Sequence, residues 1–130
     1  MAIGALLNGG SGSRAGHVRI FRFARTNNVW VQKGRDIDGE AAGDRSGESV
    51  DLSDDGMTVI IGADYNNGAG YNAGHARVFR YDALDGDWVQ QGTDLDGNAG
   101  NRLGYDASIS ADGTVVGATG LNTNNLKISK

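Results

Sequence analysis

The sequence predicts an all-β protein, made of a four-stranded antiparallel unit that recurs every 58 residues. Two compositional observations point that way. Glycine is abundant, at 22 of 130 residues, proline is absent, and Asn and Asp cluster between short apolar runs. This mixture suits many strands joined by tight turns, because Gly and Asn accept positive φ and Asp closes its own turn. No segment sustains an apolar period of 3.6 residues, so no helix is expected.

The third observation is the chain's alignment with itself. Ala15-Gly-His-Val-Arg-Ile-Phe-Arg22 returns as Ala73-Gly-His-Ala-Arg-Val-Phe-Arg80, and Val29-Trp-Val-Gln-Lys-Gly34 as Asp87-Trp-Val-Gln-Gln-Gly92. Asp36-Ile-Asp-Gly39 returns as Asp94-Leu-Asp-Gly97 at the same offset. One residue is then lost, and Gly47-Glu-Ser-Val-Asp-Leu-Ser53 matches Gly104-Tyr-Asp-Ala-Ser-Ile-Ser110. A fixed period of this length marks stacked supersecondary units.

Each full unit holds four strands, A over 48–53, B over 58–63, C over 75–81 and D over 87–91. Asp54-Asp-Gly56 supplies the tight turn between A and B. Strand B is almost continuously apolar, as expected of a strand covered on both faces. In the first copy, strand C carries Val18 and Ile20 on one side and Phe21 and Phe23 on the other. Four-stranded sheets that are apolar on both faces and stacked against one another are the blades of a β-propeller. The expected organisation is a partial propeller of about 2.25 repeats. Blade 1 is partial over residues 1–34, blade 2 is complete over 47–92, and blade 3 is partial over 104–130.

The order of these motifs resembles the FG-GAP repeat, the blade unit of integrin α-type propellers. The likeness rests on Ser46-Gly-Glu-Ser-Val-Asp-Leu-Ser53, Asp55-Gly56, Val59-Ile-Ile-Gly-Ala63 and Gly74-His-Ala-Arg-Val-Phe79 followed by Trp88. It implies a propeller with strand A innermost, an extracellular or cell-surface location, and adhesion or recognition work. The chain departs from the pattern at Leu6, Asp64 and Thr119, where a Pro often closes the GAP motif. It also has only a short turn where the family's calcium loop lies, between A and B.

Candidate sites are set against plainer readings. Asp36, Asp38, Glu40 and Asp44 place oxygen ligands at positions one, three, five and nine of a loop, a spacing that can wrap calcium. Against this, the glycine stands at position four, and Arg102 takes the ninth place in the second copy. The plainer reading has Asp36 and Asp94 satisfying turn amides while Ile37 and Leu95 plug a sheet edge. Trp30 and Trp88, at one repeat position, could stack on a sugar ring; filling the gap between blades is the stronger expectation. Tyr65 and Tyr71 are better sugar candidates, because the first copy has Leu7 and Ser13 there. The histidines His17 and His75 share one repeat position and read as structural residues rather than a catalytic base. With no nucleophile, base and oxyanion set in sight, the chain is not expected to be an enzyme.

A net charge of −4 argues against a nucleic-acid surface, and the absence of cysteine removes disulfides and thiolate metal sites. Nothing resembles a membrane span or a signal peptide. The expectation is an extracellular structural or adhesive module that assembles with itself, head to tail, through blade-to-blade contacts into a ring or filament. The alternative is a lectin-like oligomer that binds glycans, and other surface proteins are further candidate partners. Calcium is the candidate cofactor.

Overall fold

The computed structural model describes residues 1–122 and, as backbone, 126–129. Among the described residues all regular structure is β, arranged in antiparallel sheets, none of which closes on itself. The first sheet contains β1 (Ala2–Ala5), β2 (His17–Ala24), β3 (Val29–Gln32) and the two-residue β4 (Ile37–Asp38). The second contains β5 (Ser49–Leu52), β6 (Thr58–Ala63), β7 (His75–Asp82), β8 (Asp87–Gln90) and β9 (Leu95–Asp96). The third contains β10 (Leu103–Ile109), β11 (Val116–Gly120) and β12 (Leu126–Ser129).

The second sheet runs β5-β6-β7-β8, the A-B-C-D order read from the repeat. Among the described residues the first sheet has no strand in the A position and the third has none in the D position. Residues 123–125 and 130 of the third unit lie outside the described residues. The turn between β5 and β6 is closed by Asp55, which accepts hydrogen bonds from the Ser53 hydroxyl at 2.7 Å and the Met57 amide at 2.9 Å. Asp112 repeats the device with Ser110 and Thr114, and those hydrogen bonds hold its carboxyl down at about 2.

One segment expected as loop is strand. Residues 37–38 and 95–96 return past the D strand and pair with the opening of the C strand, as Val18↔Ile37 and Ala76↔Leu95. The cause is apolar burial: Ile37 enters the core, and pairing its backbone satisfies the amide groups that follow it in.

The core lies between sheets. Val18, Ile20 and Ile37 of the first sheet meet Val59, Ile61, Phe79 and Trp88 of the second. On the second sheet's other face, Ile60 and Ala76 meet Leu103, Ala107, Val116 and Ala118 of the third. Alternate side chains of β6 point to opposite faces, so all six of its residues are buried. The continuous apolar run of strand B is therefore explained by neighbours on both sides.

Such contact requires backbones to approach closely. A Cβ on Gly62 would overlap the Gly104 carbonyl, and one on Gly4 would overlap that of Gly47. At the first of these joints the Ser49 hydroxyl also donates to the Gly104 carbonyl at 2.8 Å. Gly62→Ala forces the second and third sheets apart and is expected to cost about 2–4 kcal/mol. Urea unfolding measures this loss, and a change below about 0.5 kcal/mol would show that the sheets slide freely.

Candidate functional site

The distinctive surface is one face of the first sheet. Strand pairing sets Phe23 opposite Trp30, as it sets Tyr81 opposite Trp88. The ring pairs have centroids 5.2 and 5.4 Å apart. Ile3, Phe21, Phe23 and Trp30 thus occupy the repeat positions of Ile61, Phe79, Tyr81 and Trp88. In the second sheet that face is covered by the first. In the first sheet it is open, and the equivalent tryptophans are 9% and 53% exposed, Trp88 and Trp30 respectively.

What covers Trp88 is visible in detail. Its indole Nε1 donates to the Lys33 carbonyl at 2.7 Å, and its ring lies against Gly34, where any Cβ would collide with it. Lys33 extends its ammonium over the Tyr81 ring, 4.6 Å from the centre, and donates to the Gly56 carbonyl at 2.7 Å. Partial burial lowers the Lys33 pKa. Next to it, the Arg35 amide and guanidinium both bond Asp87, and the amide bond leads in holding that carboxyl below its usual range. Lys33, Arg35 and Asp87 escaped the sequence reading because Arg35 and Asp87 have no like residue in the other copies, so repetition gave no signal.

The four acids weighed as a calcium set are dispersed. Asp36 faces Arg19, whose guanidinium donates to both of its oxygens at 2.9 Å, while Gln32 donates at 2.7 Å. The Arg19 hydrogen bond is the main reason that the Asp36 pKa is depressed. Asp38 lies with Asp36 beside His17, whereas Glu40 reaches across to His75 and Asp94. Asp44 is buried and accepts from Asn66 at 2.8 Å and from the Ala41 amide at 3.1 Å. Pairing of β4 with β2 keeps Asp36 and Asp38 on one face beside His17, whereas Glu40 and Asp44 lie beyond the strand and turn to other partners, so the four do not converge as an ion-wrapping loop would need.

The sugar candidates also separate. Tyr65 lies between two guanidiniums, with Arg45 4.1 Å and Arg102 4.2 Å from its ring centre, so neither ring face is free for stacking. Arg102 also pairs with the fully buried Asp64, through Nε at 3.1 Å and through Nη2. This sandwich joins the linker ahead of each sheet to the loop after β6. Arg45 and Arg102 are equivalent in the repeat and both adopt positive φ, but their stacking depends on Tyr65, which occurs once. Tyr71 stands 77% exposed on its loop, and Trp30 is the other open aromatic among the candidates.

His75, the first residue of β7, is the most unusual buried polar side chain. It is 1% exposed, and neither ring nitrogen has a hydrogen-bond partner among the described residues. Burial, then the nearby Arg77 charge, lowers its pKa, so the ring is neutral near pH 7.

Two predictions follow from these environments. Trp88→Ala is expected to cost about 3–5 kcal/mol, against less than about 1 kcal/mol for Trp30→Ala in the isolated chain. Urea titration of both variants checks this, and equal losses would contradict the assignment. For pH, the unfolded chain binds a proton on His75 below about pH 6.5 that the folded chain resists binding. Stability should therefore fall as the pH drops through that value and level off only below the depressed folded pKa. Melting in EDTA from about pH 7.5 to 5.5 should show this slope, and His75→Gln should flatten it.

No family model and no curated protein matches the chain.

Proposed function

We propose that the chain is a run of FG-GAP-like propeller blades. Its role is extracellular structure or adhesion rather than catalysis, and it assembles by blade-to-blade contact between copies. The observation that carries this is the pair of equivalent tryptophans: Trp88 is sealed by the preceding sheet, whereas Trp30, with Ile3 and Phe23, is open. An apolar face of this kind is a docking surface by its chemistry. The joint between the first and second sheets, where Val18, Ile20 and Ile37 cover the equivalent face, supports another sheet of the same repeat as the partner. The occupant proposed is the third blade of a second copy, in the head-to-tail arrangement that produces a ring where the rotation closes and a filament where it does not.

Solution mass by light scattering tests this directly. Multiples of 13.5 kDa are expected, or long particles, and Trp30→Glu should return the protein to a folded 13.5 kDa species. A wild-type protein that stays at 13.5 kDa at high concentration overturns the reading. Assembly unchanged by Trp30→Glu overturns the choice of face.

A further inference from the structure

We infer that Glu40, His75 and Asp94 form a binding site for a divalent ion of the zinc class, clipping the linker after the first sheet to the second sheet. The site uses residues within one chain and is independent of the assembly proposal.

The geometry favours an ion over direct hydrogen bonding. His75 Nδ1 lies 3.5 Å from Glu40 Oε1 and 3.5 Å from Asp94 Oδ2, and the three ligand atoms fall within 4.8 Å of one another. These separations are long for hydrogen bonds, and none forms. They fit a tetrahedral ion: ligand bonds of about 2.0–2.2 Å place neighbouring ligand atoms about 3.3–3.6 Å apart. The buried His75 Nδ1 faces two carboxylates and bonds neither, which leaves it free to ligate. A neutral imidazole is the form that ligates.

The surroundings agree. Asp94 Oδ1 is held by Gln90 Nε2 at 2.7 Å, which orients the carboxylate and leaves Oδ2 for the ion. Arg77, a cation near His75, turns its Nη2 to the Asp38 carbonyl at 2.8 Å and lies over the Phe79 ring. Asp44 adds a further negative charge near His75. The related cluster of His17, Asp36 and Asp38 is different, because Arg19 occupies both Asp36 oxygens and supplies the positive charge an ion would bring. One imidazole with two carboxylates suits zinc or its neighbours better than calcium, which takes six to eight oxygens. Water completes the fourth position on the side of the partly exposed Glu40.

Equilibrium dialysis against zinc chloride tests the site, with circular dichroism confirming that each variant is folded. One zinc ion per chain is expected, with affinity at least tenfold weaker in Glu40→Gln and in Asp94→Asn and unchanged in Asp36→Asn. Cobalt(II) should give the intense visible bands of tetrahedral coordination, and excess calcium should not displace zinc. The inference is overturned if the wild type takes up no stoichiometric zinc, if Asp36→Asn weakens binding as much as Asp94→Asn, or if calcium competes.

Discussion

Close backbone contact between neighbouring sheets is the constraint on which the rest of the structure depends. At Gly4 against Gly47, and again at Gly62 against Gly104, one sheet's strand lies on the next with no room for a side chain. This contact sets the spacing at which Val18 and Ile20 reach Val59 and Ile61, and at which Ile60 reaches Leu103. A wider gap would leave those side chains short of one another and admit water between the faces. The glycines recur with the repeat because every sheet-to-sheet joint has the same requirement.

That geometry makes each sheet depend on its neighbours. The second sheet is sealed on both sides, and even its Trp88 finds an acceptor for its indole N–H on the preceding linker. The first sheet presents the same four apolar positions, and no sheet covers them among the described residues, so Ile3, Phe23 and Trp30 stand exposed. The difference between Trp30 and Trp88 is thus one of neighbours, since local pairing with Phe23 or Tyr81 is alike in both. Assembly through this face and an ion at Glu40, His75 and Asp94 would serve one end, holding successive sheets in register.

Electrostatic contacts divide between the same joints. Arg102 neutralises the buried Asp64 and, with Arg45, encloses Tyr65, so a charge that would be costly alone is paired and stacked. Arg35 and Asp87 clasp the outer edge of the first joint. His75 is buried and neutral, and neither of its ring nitrogens has a hydrogen-bond partner among the described residues.

The sequence by itself determined strands A to D and their order, but not the short β4 and β9. Strand B was read as 58–63 and is β6 over those residues, and the A-B-C-D order of the second sheet followed from repetition alone. Local patterns suffice there because alternation, tight turns and recurrence are written along the chain. The expectation that both repeated tryptophans fill a structural gap holds for the buried Trp88 and not for Trp30, which is 53% exposed. What the sequence could not show was which atoms meet across sheets. Asp36, Asp38, Glu40 and Asp44 are spaced as ligands in a loop, yet pairing of Ile37 with Val18 turns the first pair toward His17 and sends Glu40 to the next repeat. Tyr65 has the appearance of a sugar platform until two arginines, 20 residues before it and 37 after, close over its faces. Equal residues at equal repeat positions received unequal surroundings, as with Trp30 and Trp88, because burial belongs to the neighbour that arrives in three dimensions, and no local pattern encodes that neighbour.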